Sequence, residues 1–276
     1  MRILLANHNL SSWGGTETWT ITLANEFKRL GHEVSLYAPT VNVIAPEFPF
    51  FSFQKEYDVA LINHNVNLEN LKYLTCKKIF TSHGVIPDLE KPVEGADVYV
   101  SVSEEVQANL KDLGFDSTII RNPIDTKHFY PTRKVHKKLE NVLFMSNYPG
   151  KAREVIKTAC DGLNLRIWGM NNQTSDAAEE MNWADLVIGL GRTAYEAMSI
   201  NRNVIIYDYN GADGFATPDL LLQARENNCS GRKFQIDLDA NGLKNLFANY
   251  NPHLQLRDYI LQNNNVTQIA QEYLSL

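Results

Sequence analysis

The sequence is poor in cysteine, has no long apolar run and carries no excess of positive charge. Its three cysteines, Cys76, Cys160 and Cys229, are odd in number and far apart. With no CxxC pair, neither a zinc site nor a disulfide framework is indicated, and reduced thiols in a cytoplasmic setting are the simplest reading. No stretch approaches the ~20 apolar residues of a membrane span. The apolar part of "MRILLAN" is also too short for a signal-peptide core, so no stable membrane insertion is expected and the sequon "NQT" at Asn172 carries no weight. A net charge of −6 removes the global basic field that drives nonspecific nucleic-acid binding. Repeats and low-complexity tracts are lacking as well.

What is present is an ordinary globular composition, 44% hydrophobic and 21% charged over 276 residues. That length divides more comfortably into two domains than it fills one. Short apolar runs alternate with helix-like segments. In the first half the runs are "RILLANH" (2–8), "EVSLYA" (33–38), "DVALINH" (58–64), "KKIFTSH" (77–83), "DVYVSVS" (97–103) and "STIIRN" (117–122). Ile21, Leu23, Ala24, Phe27 and Leu30 lie near helical spacing, and Gly31 supplies a stop. Runs that are apolar on both faces and separated by helices predict a parallel sheet covered on both sides. The pattern pauses at "PIDTKHFYPTRKVHKKLE" (123–140), which reads as a linker with two prolines and five Lys/Arg. It restarts with "NVLFMSN" (141–147), "LRIWG" (165–169), "DLVIG" (185–189) and "NVIIYD" (203–208), with "KFQID" (233–237) a weaker strand candidate. The tail from 239 reads as helices. The predicted architecture is therefore α/β, with two tandem doubly wound, Rossmann-like domains over 1–130 and 131–260 and a last helical segment over 261–276.

In such folds ligands bind beyond the carboxyl ends of the strands, where strand order reverses. After the first strand, Gly14 and Gly15 allow a sharp turn and close approach to a ligand, and Thr16 is placed to cap the next helix. The alternative is a plain strand–helix loop. His83 ends a buried run, where it can bond a substrate hydroxyl or exchange a proton near neutral pH, or simply bond to backbone. Lys151 follows Gly150 at a helix start, where a cation opposes the helix dipole unless an anion shares the site. In "VIGLGRTAYEAM", Gly189 and Gly191 open a turn, and the Arg192 fork suits diphosphate oxygens. Thr193 lies in the same first turn. Glu196, one turn on, can accept two ribose hydroxyls. A surface salt bridge would explain Arg192 but not the flanking glycines. "DLDANG" (237–242) imitates a metal-binding or EF-hand loop, but Ala248 stands where the twelfth-position Glu is required. Asp239 is better read as a helix N-cap, and no metal is expected.

These residues, in this order, resemble the GT-B glycosyltransferases, and in compact form the retaining, nucleotide-sugar-dependent enzymes of family 4. "MRILLANHNLSSWGGTETWTITLANEFKRLGHEVSLYAP" matches the opening strand, glycine loop, helix and second strand. "VSVSEEVQANLKDLGFDSTIIRNPIDTKHFYP" is similar to the interdomain passage with its NGID-x-x-x-F-x-P ending. "ADLVIGLGRTAYEAMSINRNVIIYDYNGADG" resembles the donor-site core. The resemblance implies that the final helix crosses back to the first domain. It implies that Gly14 and Gly15 lie against donor phosphate and acceptor, that His83 contacts the transferred sugar and that Lys151 meets the diphosphate. Gly169 and Met170 would frame the base. Glu196 matches the second glutamate of an E-x7-E motif, which holds the ribose.

Three departures stand out. The first glutamate of that motif falls at Ile188. The arginine five residues before Lys151 falls at Ser146, a loss that Arg192 can make good from the neighbouring loop. Few residues lie between 39 and 57, where the family often inserts acceptor-binding structure. The implied function is transfer of a sugar from a nucleoside-diphosphate sugar to an acceptor hydroxyl with retention, needing no cofactor beyond that donor substrate. The acceptor is left open among a glycan, a lipid-linked sugar, a small metabolite and a modified nucleic-acid base. A sugar epimerase or phosphorylase of the same fold, or an inactive nucleotide-sugar-binding module, are the alternatives.

Overall fold

A computed structural model describes residues 1–39, 44–148, 150–169 and 176–276. It separates into two compact units, residues 1–123 with 266–276 and residues 124–265.

In unit 1 the chain runs β1 (Arg2–Ala6), α1 (Gly15–Arg29), β2 (Glu33–Tyr37), β3 (Val59–Asn63), α2 (Asn65–Asn70), β4 (Lys77–Ser82), β5 (Val98–Ser101), α3 (Glu104–Asp112) and β6 (Thr118–Ile119). The strands form one parallel sheet in the order β2-β1-β3-β4-β5-β6. Successive side chains on a strand point to opposite faces, and here both faces are apolar. Ile3 and Leu5 of β1 join one core with Val59 and Leu61 of β3, while Leu4, Ala6, Ala60 and Ile62 join the other. Trp19, Leu23 and Phe27 recur at four-residue spacing on α1 and are buried. Each stabilises the unit by roughly 1.5–3 kcal/mol relative to an exposed side chain. The expected stop is present, since Gly31 takes φ +86° just past the helix. Thr16 is not the cap, however. The cap is Gly14, two residues earlier, so Thr16 lies inside the first turn, where its carbonyl accepts the Thr20 hydroxyl at 2.8 Å.

Unit 2 contains β7 (Asn141–Met145), α4 (Lys151–Ala159), β8 (Asn164–Trp168), α5 (Ala177–Trp183), β9 (Leu186–Gly189), α6 (Arg192–Ser199), β10 (Asn203–Asp208), β11 (Gly211–Phe215), α7 (Pro218–Ala224), α8 (Ala240–Phe247) and α9 (Arg257–Asn263). Strand order is β11-β10-β9-β7-β8, parallel except for β11. Alternation again supplies two cores: Phe144, Ile188 and Ile205 lie on one side of the sheet and Leu143, Val187 and Val204 on the other. As expected, Asp239 caps α8 by accepting from the Gly242 amide at 2.7 Å. The edge strand β11, "GADGF", was not expected. Of the weak candidate "KFQID", only Ile236 pairs, in an isolated bridge to Ala212.

The polar 124–140 stretch is anchored to unit 2. Ile124 and Phe129 are buried in its core, and Arg133 and His136 both bond the fully buried Asp185 carboxylate. Where the chain enters and leaves this unit, Ile124 and Asn265 pair as neighbours, and the Ile124 amide donates to the Asn264 carbonyl at 2.7 Å. The last helix, α10 (Val266–Ser275), belongs to unit 1, where Ile269, Ala270 and Tyr273 pack into the α1 core.

Candidate functional site

Each sheet reverses its winding at one place, between β1 and β3 in unit 1 and between β7 and β9 in unit 2. A crevice at the carboxyl ends of the flanking strands is the expected ligand site of such sheets.

In unit 2 the loop after β9 is shaped by its glycines. Gly191 takes φ +54° and ψ −122°, a left-handed conformation that disfavours any side chain. Its amide donates to the Cys229 carbonyl at 2.8 Å, and its carbonyl accepts from Ala194 and Tyr195 to start α6. A Cβ on Gly189 would lie 2.7 Å from the Thr193 methyl. Arg192 and Glu196, one turn apart, are both nearly buried, with Nε donating to Oε1 at 2.6 Å. Burial pushes the Glu196 carboxyl above its ordinary value, an effect that Arg192 and the more distant His128 only partly offset. Ile188 is fully buried within β9, so the position of the missing glutamate is part of the core.

The loop after β7 lies beside it. Ser146, where the resemblance expects arginine, bonds through its hydroxyl to the buried Asp208 carboxylate at the end of β10. Burial lifts that carboxyl to about 6, because the Ser146 hydroxyl, the Tyr209 amide and Arg153 do not fully compensate for lost hydration. Gly169, just past β8, has φ +123°, and a Cβ there would lie 1.9 Å from the Ser146 carbonyl oxygen. Lys151 opens α4 and pairs with both oxygens of Asp237 at 2.7 and 2.8 Å, both side chains being well exposed. A cavity of about 170 Å³ is lined by Tyr148, Lys151, Tyr207, Asp208, Tyr209 and Asp237. The Tyr148 and Tyr209 rings pack with centroids 3.9 Å apart. Both cations singled out in the sequence thus have carboxylate partners. Met170 lies outside the described residues.

A further loop closes on Gly191. Asn228, Cys229, Gly231 and Gln235 all have positive φ. The buried Asp213 carboxylate gathers the turn by accepting from the Gly231 and Phe234 amides at 3.1 and 3.0 Å. This loop escaped the sequence reading, although the turn-forming run "NNCSG" signals it.

In unit 1, Gly14 caps α1 with extended backbone, and a Cβ there would lie 2.4 Å from a Glu17 carboxylate oxygen. Gly15 begins the helix beside open space. His83 sits just past β4. Its amide donates to Glu90 Oε2 at 2.6 Å, its Nε2 lies 3.0 Å from Asn63 Oδ1, and its ring packs edge-on against Trp19. His64 holds φ +71°; its Nδ1 accepts the His8 amide at 3.2 Å and its Nε2 lies 3.5 Å from Glu90. Burial would raise the Glu90 carboxyl, but bonds and charge from His64 and His83 hold it below its ordinary value. Sequence reasoning found His83 but not Asn63 at the end of β3, His64 just after it, or Glu90 in the turn that follows His83. Among the described residues no cluster of His, Cys, Asp and Glu is arranged to hold a metal ion, and no helix is long and apolar enough to cross a membrane.

No protein-family model and no curated protein sequence matches the chain. Solved structures do. A glycosyltransferase from Rickettsia africae superposes with a TM-score of 0.63 at 15% identity, over 99% of this chain and 97% of that one. AviGT4, a glycosyltransferase involved in avilamycin A biosynthesis, gives 0.64 at 15% identity over 99% and 96%. A candidate UDP-N-acetylglucosamine 2-epimerase from Listeria monocytogenes gives 0.58 at 12% identity over 99% and 95%. The chain is similar to each over nearly its whole length and has the GT-B fold. A fold shared by transferases and an epimerase does not by itself choose the reaction.

Proposed function

We propose that the chain transfers a sugar from a nucleoside-diphosphate sugar to an acceptor hydroxyl, with retention of configuration and without a metal. The observation that carries this reading is the left-handed Gly191 turn at the winding reversal of unit 2, with Arg192 on the first turn of the helix it opens. A helix start at that place offers amides and dipole to an anion, and Arg192 adds a guanidinium fork. Glu196 holds Nε, so the fork is oriented before a ligand arrives. Arg192, the α6 amides and Lys151 then stabilise the departing diphosphate. Lys151 must exchange Asp237 for phosphate oxygen to take part. Glu196 shares its carboxylate between Arg192 and a ribose hydroxyl, Gly169 lines the base, and Gly14, Gly15 and His83 address the transferred sugar and acceptor. The neighbouring glycosyltransferase structures support this reading at the level of fold.

The test is incubation with UDP-, GDP- and other nucleotide sugars, following release of nucleoside diphosphate, together with donor titration of Arg192→Ala. Loss of this residue raises the donor Kd by roughly tenfold or more, as expected for one charge-assisted contact of 1.5–3 kcal/mol. An unchanged Kd rejects the assignment. Ile188, sealed in the core, supplies no sugar contact, and this favours one second reading, a nucleotide-sugar-binding module. Tight donor binding with no nucleotide released would establish that alternative.

A further inference from the structure

A buried hydroxyl beside the carboxyl ends of β1 and β3 fixes the chemistry of His83. Thr20 is fully buried, and its hydroxyl donates its single proton to the Thr16 carbonyl at 2.8 Å. What remains on Thr20 Oγ1 is accepting capacity. Two carboxamides approach it, Asn7 at 3.0 Å and Asn63 at 3.2 Å, so both must present their NH2 groups. Asn63, the last residue of β3, is fully buried, which denies its side chain the option of turning to water. With Nδ2 committed to Thr20, Oδ1 is the atom 3.0 Å from His83 Nε2. A carbonyl oxygen only accepts, so His83 Nε2 carries a proton. The backbone of Asn63 is fixed too, by the Asn67 side chain donating to its carbonyl at 2.7 Å. The Glu90 carboxylate on the His83 amide and the Trp19 ring against the imidazole hold the ring in place.

We propose that Asn63 is a positioning residue that locks neutral His83 in the Nε2–H tautomer. Nδ1 is then the accepting nitrogen, so any group that bonds it there must be a donor. The use of that tautomer in sugar transfer rests on the glycosyl-transfer reading; the tautomer itself does not. Should Nδ1 take up a proton, Nε2–H still donates to Asn63, so the same contact serves both charge states.

The decisive measurement is a long-range 1H–15N spectrum of the full chain labelled in histidine, recorded above the titration of the ring. A pyrrole-type Nε2 and a pyridine-type Nδ1 for His83 are expected, and the reverse pattern overturns the proposal. Asn63→Asp retains an accepting oxygen and retains the tautomer, whereas Asn63→Leu mixes the two forms. A folded Asn63→Leu chain with an unmixed tautomer shows that Asn63 is not the cause. If Asn63→Leu does not fold, the wild-type and Asn63→Asp spectra still decide. With a turning-over donor, Asn63→Leu lowers kcat roughly tenfold or more, Asn63→Asp restores part of it, and an unaltered kcat overturns the role in positioning. The spectrum needs no nucleotide, so a chain that binds no nucleotide sugar but shows the Nε2–H form refutes the donor reading alone.

Discussion

Glu90 in unit 1 and Asp208 in unit 2 are buried to nearly the same degree, at 5% and 6% exposure, yet their carboxyls move in opposite directions. Glu90 is surrounded by His64, His83 and a backbone amide, which outweigh its loss of hydration. Asp208 has a serine hydroxyl, one amide and a distant arginine, which do not. Partners therefore decide the charge state at equal burial. The same contrast runs through the two winding reversals. Unit 1 arranges imidazoles, carboxamides and hydroxyls into a network suited to hydroxyl groups and protons. Unit 2 arranges close backbone approaches and cation–carboxylate pairs.

The largest expected effect comes from Gly169→Ala, which attacks the backbone contact on which the unit 2 loop depends. The new Cβ would meet the Ser146 carbonyl at 1.9 Å from a left-handed backbone, and a loss of more than about 3 kcal/mol in urea unfolding is expected. Tolerance of alanine would show that the close approach is dispensable. Next is Asp208→Asn. The ordinary carboxyl value is 3.8 and the folded value about 6, so between these the folded chain holds a proton that the unfolded chain has released. Wild-type stability therefore falls as pH rises through that window and levels off above it. Asp208→Asn removes the slope: it matches wild type near pH 4 and exceeds it by at most about 3 kcal/mol above pH 6. Parallel curves across that range would erase the contrast with Glu90. The smallest effect belongs to Lys151→Ala, whose partner lies in solvent. A change of about 1 kcal/mol or less in stability is expected from so exposed a pair, and a larger one would recast the pair as structural.

The fold was largely legible because buried parallel strands announce themselves as apolar runs, and β1, β3, β4, β9 and β10 all do. The strand β11 did not, since "GADGF" is glycine-rich and carries an aspartate; its order comes from pairing with β10 and from Asp213 binding the following turn. Thr16 misled because capping propensity is local, whereas the start of α1 is set by the Gly14 backbone. The 123–140 segment reads as a linker, yet Ile124, Phe129, Arg133 and His136 anchor it to unit 2, a tertiary effect that composition hides. Local sequence also marked the turn at Gly191 and the histidine at position 83. It could not show that Asp237 meets Lys151 across 86 residues, or that Asn63 from β3 and Glu90 from a later turn converge on His83.

The paired backbone at Ile124 and Asn265 has an evolutionary consequence. A segment whose two ends lie side by side can be lifted out and replaced without rerouting the strands that precede it or the helix that follows. Residues 124–265 thus form an exchangeable cassette, and a lineage could replace that cassette while leaving the rest of the chain as it was.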